Sequence, residues 1–205
     1  ERLRPKTLDD YIGQKHLVGQ GAVLRKMIDA GRVPSFILWG PPGVGKTTLA
    51  QIIANKLDAP FYTLSAISSG VKDVREVIEK AKSNRFFNTV SPILFIDEIH
   101  RFSKSQQDSL LNAVETGVVT LIGATTENPS FEVIRPLLSR CQVYVLKSLD
   151  KNDLLTLLHK AIAEDVVLKD KNIRLTETEC HVTLLGRRCP EVAEYSGTGG
   201  VCRGE

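Results

Sequence analysis

The chain has 205 residues, a net charge of +3, 42% hydrophobic residues and 25% charged residues. These proportions are typical of a globular protein and exclude an intrinsically disordered or fibrous chain. No apolar run approaches the roughly 18 residues that a membrane-spanning helix needs, so a membrane-spanning protein is excluded as well.

Four cysteines are too few for a small secreted domain held by disulfides, which predicts a reducing, cytoplasmic location. The sequence begins at Glu1 and its single methionine is Met27, so we expect a piece of a longer protein. The pI near 8.7 lies below the range that indicates a nucleic-acid partner on charge alone.

Hydrophobic periodicity predicts an alternation of strands and helices after an extended N-terminal arm. Continuous apolar runs bounded by turns suit buried parallel strands, so the alternation predicts an α/β fold with a parallel sheet flanked by helices. In chain order the predicted elements are an arm at 1–14, a helix at 17–30, a strand at 35–39, a helix at 46–57, a strand at 61–64, a helix at 71–82, a strand at 93–96, a helix at 105–114, a strand at 118–122, a short helix at 133–138, a strand at 143–146 and a helix at 149–164.

The strongest motif follows the first predicted strand and opens the next helix. It reads Gly40-Pro41-Pro42-Gly43-Val44-Gly45-Lys46-Thr47-Thr48 and matches the P-loop pattern. Glycines let backbone N–H groups converge on phosphate oxygens, and the N-terminus of the following helix adds a positive dipole. Lys46 is predicted to reach the terminal phosphates of ATP, and the Thr47 hydroxyl is a predicted Mg²⁺ ligand.

A second motif, residues 93–98, is an apolar strand that ends in paired acids. Next to a P-loop strand this pattern indicates a Walker B motif, in which Asp97 holds Mg²⁺. Glu98 is then the predicted general base that polarises the attacking water.

Four strand ends are expected to meet at one site, since open parallel sheets bind ligands at the carboxyl ends of their strands. A threonine hydroxyl after the strand at 118–122 would lie there and orient the water or contact the γ-phosphate. Arg140, judged by spacing alone, is predicted to be an ordinary surface charge.

Two sets of residues together resemble a known family. Residues 4–14 resemble the N-terminal segment of clamp-loader-like and Holliday-junction-motor AAA+ ATPases. Residues 97–108, followed by residues 122–131, are similar to the replication-associated recombination protein A family, relatives of the eukaryotic Werner-helicase-interacting ATPase. The resemblance covers roughly residues 1–179.

The resemblance implies further roles, position by position. Tyr11, Ile12 and Gly13 would lie against the adenine. Thr126, the second threonine of its pair, matches the sensor that reads the γ-phosphate, and Arg140 matches an arginine finger that completes the site of a neighbouring subunit. This role replaces the expectation from spacing alone.

The same resemblance implies an oligomeric, Mg²⁺-dependent ATPase that is stimulated by DNA at forks, gaps and single-strand/double-strand junctions. It acts in replication, recombination and repair, in the nucleoid, and bacterial members associate with single-strand-binding protein. Ser65 stands where many clamp loaders have an asparagine that restrains the Walker B glutamate. The resemblance therefore does not extend to this restraint of Glu98.

The predicted organisation is a nucleotide-binding core at 1–147, the start of a helical lid at 148–179 and an atypical tail at 180–205. The tail lacks a helical period, and a back-translation of 181–201 shifted by one base reads as an amphipathic helix containing the family's sensor-2 motif. We therefore predict that a frameshift near Glu179 or Cys180 produced the tail. A zinc site there, from Cys180, His181, Cys189 and Cys202, is the disfavoured alternative because the cysteines have no paired spacing.

Two alternatives to the predicted function remain open. A branch-migration motor like RuvB shares residues 4–14 and the segment Asp97–Arg101. The second alternative is a nucleotide-binding module that does not hydrolyse ATP. The intact Lys46, Asp97 and Glu98 argue against this module.

Overall fold

The computed structural model describes residues 3–66, 70–85 and 90–165. Within them lie five strands, β1 (Phe36–Trp39), β2 (Phe61–Ser65), β3 (Ile93–Asp97), β4 (Thr120–Thr125) and β5 (Gln142–Val145). Every strand pair is parallel, and the strands form one sheet in the order β2-β3-β4-β1-β5.

In the same described ranges, eight helices connect and flank these strands, with one 3₁₀ turn at Ile99–Arg101 directly after β3. The helices of the described residues are α1 (Lys15–Val18), α2 (Val23–Asp29), α3 (Lys46–Lys56), α4 (Val71–Arg85), α5 (Lys104–Glu115), α6 (Pro129–Glu132), α7 (Arg135–Leu138) and α8 (Lys151–Glu164).

The sheet separates two apolar layers, which confirms the predicted α/β fold with helices on both faces. Alternate residues of a strand point to opposite faces, so Phe36 of β1 lies in one layer with Leu49 of α3. Ile37 lies in the other layer with Leu110 of α5. The inner strands are buried on both faces, which is why their sequences are continuously apolar.

The predicted helix at 17–30 is wrong as a single element, because the structure divides it into α1 and α2. Gly19 ends α1, its N–H donating to the carbonyl of Lys15, and a Cβ at Gly19 would lie 2.3 Å from that oxygen. Gly21 then adopts a φ of 80° in the left-handed region, which favours glycine.

Two further element boundaries differ from the prediction. Strand β4 starts at Thr120 and continues to Thr125, because Val118 N–H bonds to the carbonyl of Ala113 at the end of α5. The predicted helix at 133–138 is replaced by α6 and α7, since Val133 between them has an extended backbone. The 3₁₀ turn after β3 was not predicted.

The chain divides into two compact units, Glu1–Asp153 and Leu154–Glu205. The predicted core at 1–147 ends six residues before this division. The described part of the second unit, residues 154–165, consists of the rest of α8 and Asp165. The end of the predicted lid, the tail at 180–205 and the alternative zinc ligands lie outside the described residues, so the frameshift stays a prediction. In the described part of the chain, no helix is long and apolar enough to cross a membrane.

Candidate nucleotide-binding site

The loop between β1 and α3 carries the P-loop motif at the carboxyl end of β1, an inner strand of the sheet. Gly43 and Gly45 have φ values of 78° and 93°, which lie in the left-handed region where side chains are disfavoured. A Cβ on Gly43 would meet nothing within 4 Å, so this part of the loop has an open outer side. Gly40 begins the loop, and its N–H donates to the carbonyl of Thr125 at the end of β4 over 3.1 Å.

Lys46, the first residue of α3, folds back over this loop. Its Nζ donates to the carbonyl oxygens of Gly40 and Pro41 over 2.7 and 2.8 Å. Burial lowers the pKa of Lys46, while the nearby carboxylates of Glu98 and Asp97 raise it and so oppose that effect. The ammonium group therefore lies inside the loop, close to both predicted Walker B acids.

Asp97 and Glu98 follow the buried part of β3 at the same edge of the sheet. Asp97 pairs in register with Ser65 of β2, and its Oδ1 accepts the N–H of Glu98 over 3.1 Å. Glu98 has a φ of 54°, a strained backbone conformation for a residue with a side chain. Both side chains are half-buried, so they can contact a ligand at the strand ends.

The predicted metal ligands fit Mg²⁺ by the chemistry of their donor atoms. Thr47 supplies a hydroxyl in the first turn of α3 and Asp97 a carboxylate, and Mg²⁺ prefers oxygen ligands. No group of three or more His, Cys, Asp or Glu side chains in residues 3–66, 70–85 and 90–165 is arranged to hold a metal. An ion held by Thr47 and Asp97 would therefore need phosphate oxygens and waters to complete its coordination.

The N-terminal segment contacts the P-loop from its inner side. The hydroxyl of Tyr11 donates to the carbonyl oxygens of Val44 and Gly45 over 3.1 and 3.2 Å. Burial raises the pKa of Tyr11, so this hydroxyl keeps its proton. The Tyr11 side chain is thus buried beneath the loop, whereas Ile12 is half-buried.

Gly13 permits a close approach of the segment that follows β5. Its φ is 85°, and a Cβ would lie 2.5 Å from Cδ2 of Leu149. The next residue, Gln14, was not predicted to matter, yet its amide exchanges two hydrogen bonds with the backbone of Lys147, at 2.6 and 2.9 Å. Residues 11–14 therefore lie between the P-loop and residues 147–149.

The structure places the predicted sensor, Thr126, one residue beyond the end of β4, where it is half-buried. The strand-end argument alone pointed to either threonine of this pair, and the side chain of the first, Thr125, is completely buried. The Thr125 hydroxyl lies 3.1 Å from Nδ1 of His100. The sequence signal for this contact was the position of His100 two residues after Glu98.

Arg140 lies just after α7 and is held within its own chain. Its Nη2 is 2.5 Å from Oε1 of Glu115 at the end of α5, and its Nη1 donates to Ser139 Oγ and the carbonyl of Pro136. The side chain is 40% exposed, so it remains accessible to another molecule. Burial raises the pKa of the adjacent Cys141 thiol to about 12, which keeps that thiol neutral.

A buried glutamine that sequence reasoning missed joins α5 to the segment that precedes α7. The amide nitrogen of Gln107 donates to the carbonyls of Phe102 and Glu132, and its oxygen accepts the N–H of Ile134. Gln107 stands three residues before the buried Leu110, so the only signal was a polar residue at a core position of the helix.

Comparisons with known proteins agree with this geometry. Residues 36–149 match the model of the ATPase family associated with various cellular activities (AAA). The chain is 53% identical over 80% of its length to replication-associated recombination protein A of Haemophilus influenzae. It is 49% identical over 86% of its length to the ATPase WRNIP1 of Dictyostelium discoideum. The resemblance predicted from residues 4–14, 97–108 and 122–131 is thereby confirmed.

The structural comparison gives the same fold. The Holliday junction branch migration motor RuvB of Thermotoga maritima aligns with a TM-score of 0.64 and 31% identity, covering 80% of this chain and 55% of that one. The chain spans 36% of the length of the Haemophilus relative and 20% of the Dictyostelium relative.

We expect Tyr11→Phe to lower the free energy of unfolding by about 1 kcal/mol, because two carbonyls of the P-loop lose their buried donor. Tyr144→Phe is the matched control, since the Tyr144 hydroxyl bonds to the exposed side chain of Gln142 and its loss should cost less. Urea denaturation of both variants measures the difference. Equal losses would contradict the supporting role of the Tyr11 hydroxyl.

Proposed function

The chain belongs to the ATPase family associated with various cellular activities (AAA), and from this membership we propose that it binds ATP with Mg²⁺ and hydrolyses it. One observation carries the proposal. The buried Lys46 ammonium lies in the P-loop within the electrostatic influence of Asp97 and Glu98, at the edge where parallel strands end. This is the combination of phosphate-binding, metal-binding and water-activating groups that phosphoryl transfer needs.

Each group has a distinct role in the proposed reaction. The backbone of residues 40–45 and the first turn of α3 bind the phosphates, and Lys46 exchanges its two carbonyl partners for phosphate oxygens. Thr47 and Asp97 hold Mg²⁺, which neutralises the charge on the phosphates. Glu98 orients the attacking water and accepts its proton. Thr126, the residue after β4, contacts the γ-phosphate. Residues 11–13 lie against the adenine.

We propose that Arg140 completes the site of a second copy of this chain. Its contacts in the structure run to Glu115, Pro136 and Ser139 of its own chain, and its partial exposure supports a second partner. An arginine that contacts the transferred phosphate from a neighbouring subunit accelerates hydrolysis roughly 10³–10⁵-fold. The active form would then be a homo-oligomer.

We propose further that the longer protein acts on DNA during replication-associated recombination and repair, in the cytoplasm at the nucleoid, with single-strand-binding protein as a partner. The name of the bacterial relatives, replication-associated recombination protein A, supports the DNA process. The branch-migration alternative has support from the fold, but the RuvB likeness has 31% identity against 53% for the Haemophilus relative. The higher identity therefore favours the first proposal.

Glu98→Gln is expected to retain ATP binding while its turnover falls about 10²–10⁴-fold, because the amide cannot accept the proton of the water. Glu79→Gln, an exposed glutamate on α4 paired with Lys82, is the matched control and should leave turnover unchanged. Phosphate release and fluorescent-nucleotide binding measure the two quantities. Unchanged turnover in Glu98→Gln contradicts the proposal, and binding without turnover in the wild type favours the non-hydrolysing module.

Mixing Glu98→Gln with Arg140→Ala tests whether the site is shared between subunits. Each variant alone should be inactive, whereas an Arg140→Ala subunit beside a Glu98→Gln subunit receives an intact arginine. With equal amounts and random assembly, one interface in four is complete, so we expect about a quarter of the wild-type turnover. Phosphate release at a concentration where the wild type is oligomeric measures the recovery, and no recovery there contradicts the shared site.

Forked DNA is expected to raise ATP turnover several-fold at low salt, and the increase should shrink as salt is added because phosphate contacts release counterions. Turnover is measured with forked, fully duplex and single-stranded DNA of matched length. Equal stimulation by all three would argue against recognition of a junction, and the absence of any stimulation would contradict the proposed DNA dependence.

A further inference from the structure

A chain of side-chain contacts links the predicted general base to the end of strand β4. Oε2 of Glu98 lies 3.3 Å from Nε2 of His100. On the other side of the imidazole ring, Nδ1 lies 3.1 Å from Oγ1 of Thr125. The carboxylate of Glu98 is thus connected, through one ring, to a fully buried hydroxyl on the neighbouring strand.

The groups on either side of His100 bear on which ring nitrogen carries the proton. The hydroxyl oxygen of Thr125 accepts the N–H of Glu127 over 3.0 Å. That hydroxyl lies 3.1 Å both from Nδ1 of His100 and from the carbonyl oxygen of Glu127, so its single proton has two possible acceptors. A carboxylate only accepts hydrogen bonds, so the ring proton of His100 must be on Nε2 for the imidazole to donate to Glu98 across 3.3 Å. Nδ1 is then the acceptor and takes the proton of the Thr125 hydroxyl.

Other contacts of Glu98 are weaker guides to its orientation. The exposed Arg101 approaches no closer than 3.9 Å, which is beyond hydrogen-bond distance. Within the described ranges, His100 is the one side chain within hydrogen-bond distance of the Glu98 carboxylate. His100 itself is only 12% exposed, so its ring has a fixed environment.

The surroundings of Glu98 agree with a positioning role. Its carboxylate, like that of Asp97, raises the pKa of Lys46, so its charge lies near the phosphate-binding loop. A residue at a φ of 54° has a strained backbone, and its side chain needs a second anchor to hold one direction.

We propose that His100 is a positioning residue that holds Glu98 towards the attacking water, and that the Thr125 hydroxyl sets the orientation and tautomer of its ring. The inference rests on the proposed ATPase function. The same contacts join Glu98 to Thr125, the residue before the predicted sensor Thr126.

The first test compares His100→Ala with His100→Gln in ATP turnover. Loss of the donor in His100→Ala should lower kcat about 10–100-fold, as misplacement of a catalytic group does, with KM and nucleotide affinity nearly unchanged. The Gln side chain carries an N–H donor at a similar reach, so His100→Gln should regain most of kcat. Arg101→Ala is the matched control and should keep the wild-type kcat.

Thr125→Val and Thr125→Ser examine the second half of the contact chain. Thr125→Val removes the hydroxyl and should lower kcat, whereas Thr125→Ser should retain it. In the His100→Ala background, Thr125→Val should have no further effect on kcat, since both changes interrupt one path. Independent, multiplying effects of the two substitutions would overturn the proposal.

A nitrogen NMR measurement gives a readout that does not depend on turnover. The ¹⁵N shifts of His100, assigned by comparison with His100→Gln, should show the proton on Nε2 in the wild type and a mixture of tautomers in Thr125→Val. Protonation on Nδ1 in the neutral wild-type ring would overturn the proposal.

The outcomes separate this inference from the proposed function. If Glu98→Gln abolishes turnover while His100→Ala leaves kcat unchanged or raises it, the positioning role fails and the ATPase proposal stands. If Glu98→Gln has normal turnover, the proposed function itself fails. Folding of every variant is checked by its nucleotide affinity and melting temperature.

Discussion

The parallel direction of all five strands is the constraint on which the site depends. Parallel strands place every carboxyl end at one edge of the sheet, so residues far apart in sequence become neighbours there. The order of the strands puts β1 beside β4 and β4 beside β3. The P-loop, the predicted sensor and the paired acids therefore lie on three adjacent strands.

The Lys46 ammonium shows how this edge stabilises a buried charge. Burying an unpaired cation is costly, but two carbonyl oxygens of the P-loop accept its protons and two carboxylates lie near. The loop that supplies the carbonyls is itself supported, by Tyr11 beneath it and by the backbone bond from Gly40 to β4. The lysine thus lies within a supported polar loop, and in the proposed reaction phosphate oxygens would replace the two carbonyls as its partners.

Buried polar side chains connect the edge of the sheet to the surrounding helices. Thr125 reaches the turn after β3, and Gln107 ties α5 to the segment before α7. Since buried polar groups need partners, a shift in one of these segments would disturb the others. Such contacts relate the nucleotide site to the helix that precedes Arg140.

The sequence by itself determined the alternation of strands and helices, the α/β class, the P-loop and the Walker B acids. These features are local, because apolar runs and glycine positions act on neighbouring backbone. Periodicity predicted the buried residues near 17–30 but not the division of this segment into α1 and α2. That division depends on the backbone geometry of Gly19 and Gly21. The family resemblance selected Thr126 from the two threonines at the end of β4, and it supplied the role of Arg140, which spacing alone does not indicate.

Only the tertiary structure decided which side chains meet. The contact of Thr125 with His100 joins residues 25 positions apart, and that of Tyr11 with Val44 joins residues 33 positions apart. No periodic pattern encodes such pairs, since each arises from the order of strands in the sheet and the path of the N-terminal segment. The sequence therefore predicts which chemical groups the site contains, whereas the contacts that orient those groups depend on the folded sheet.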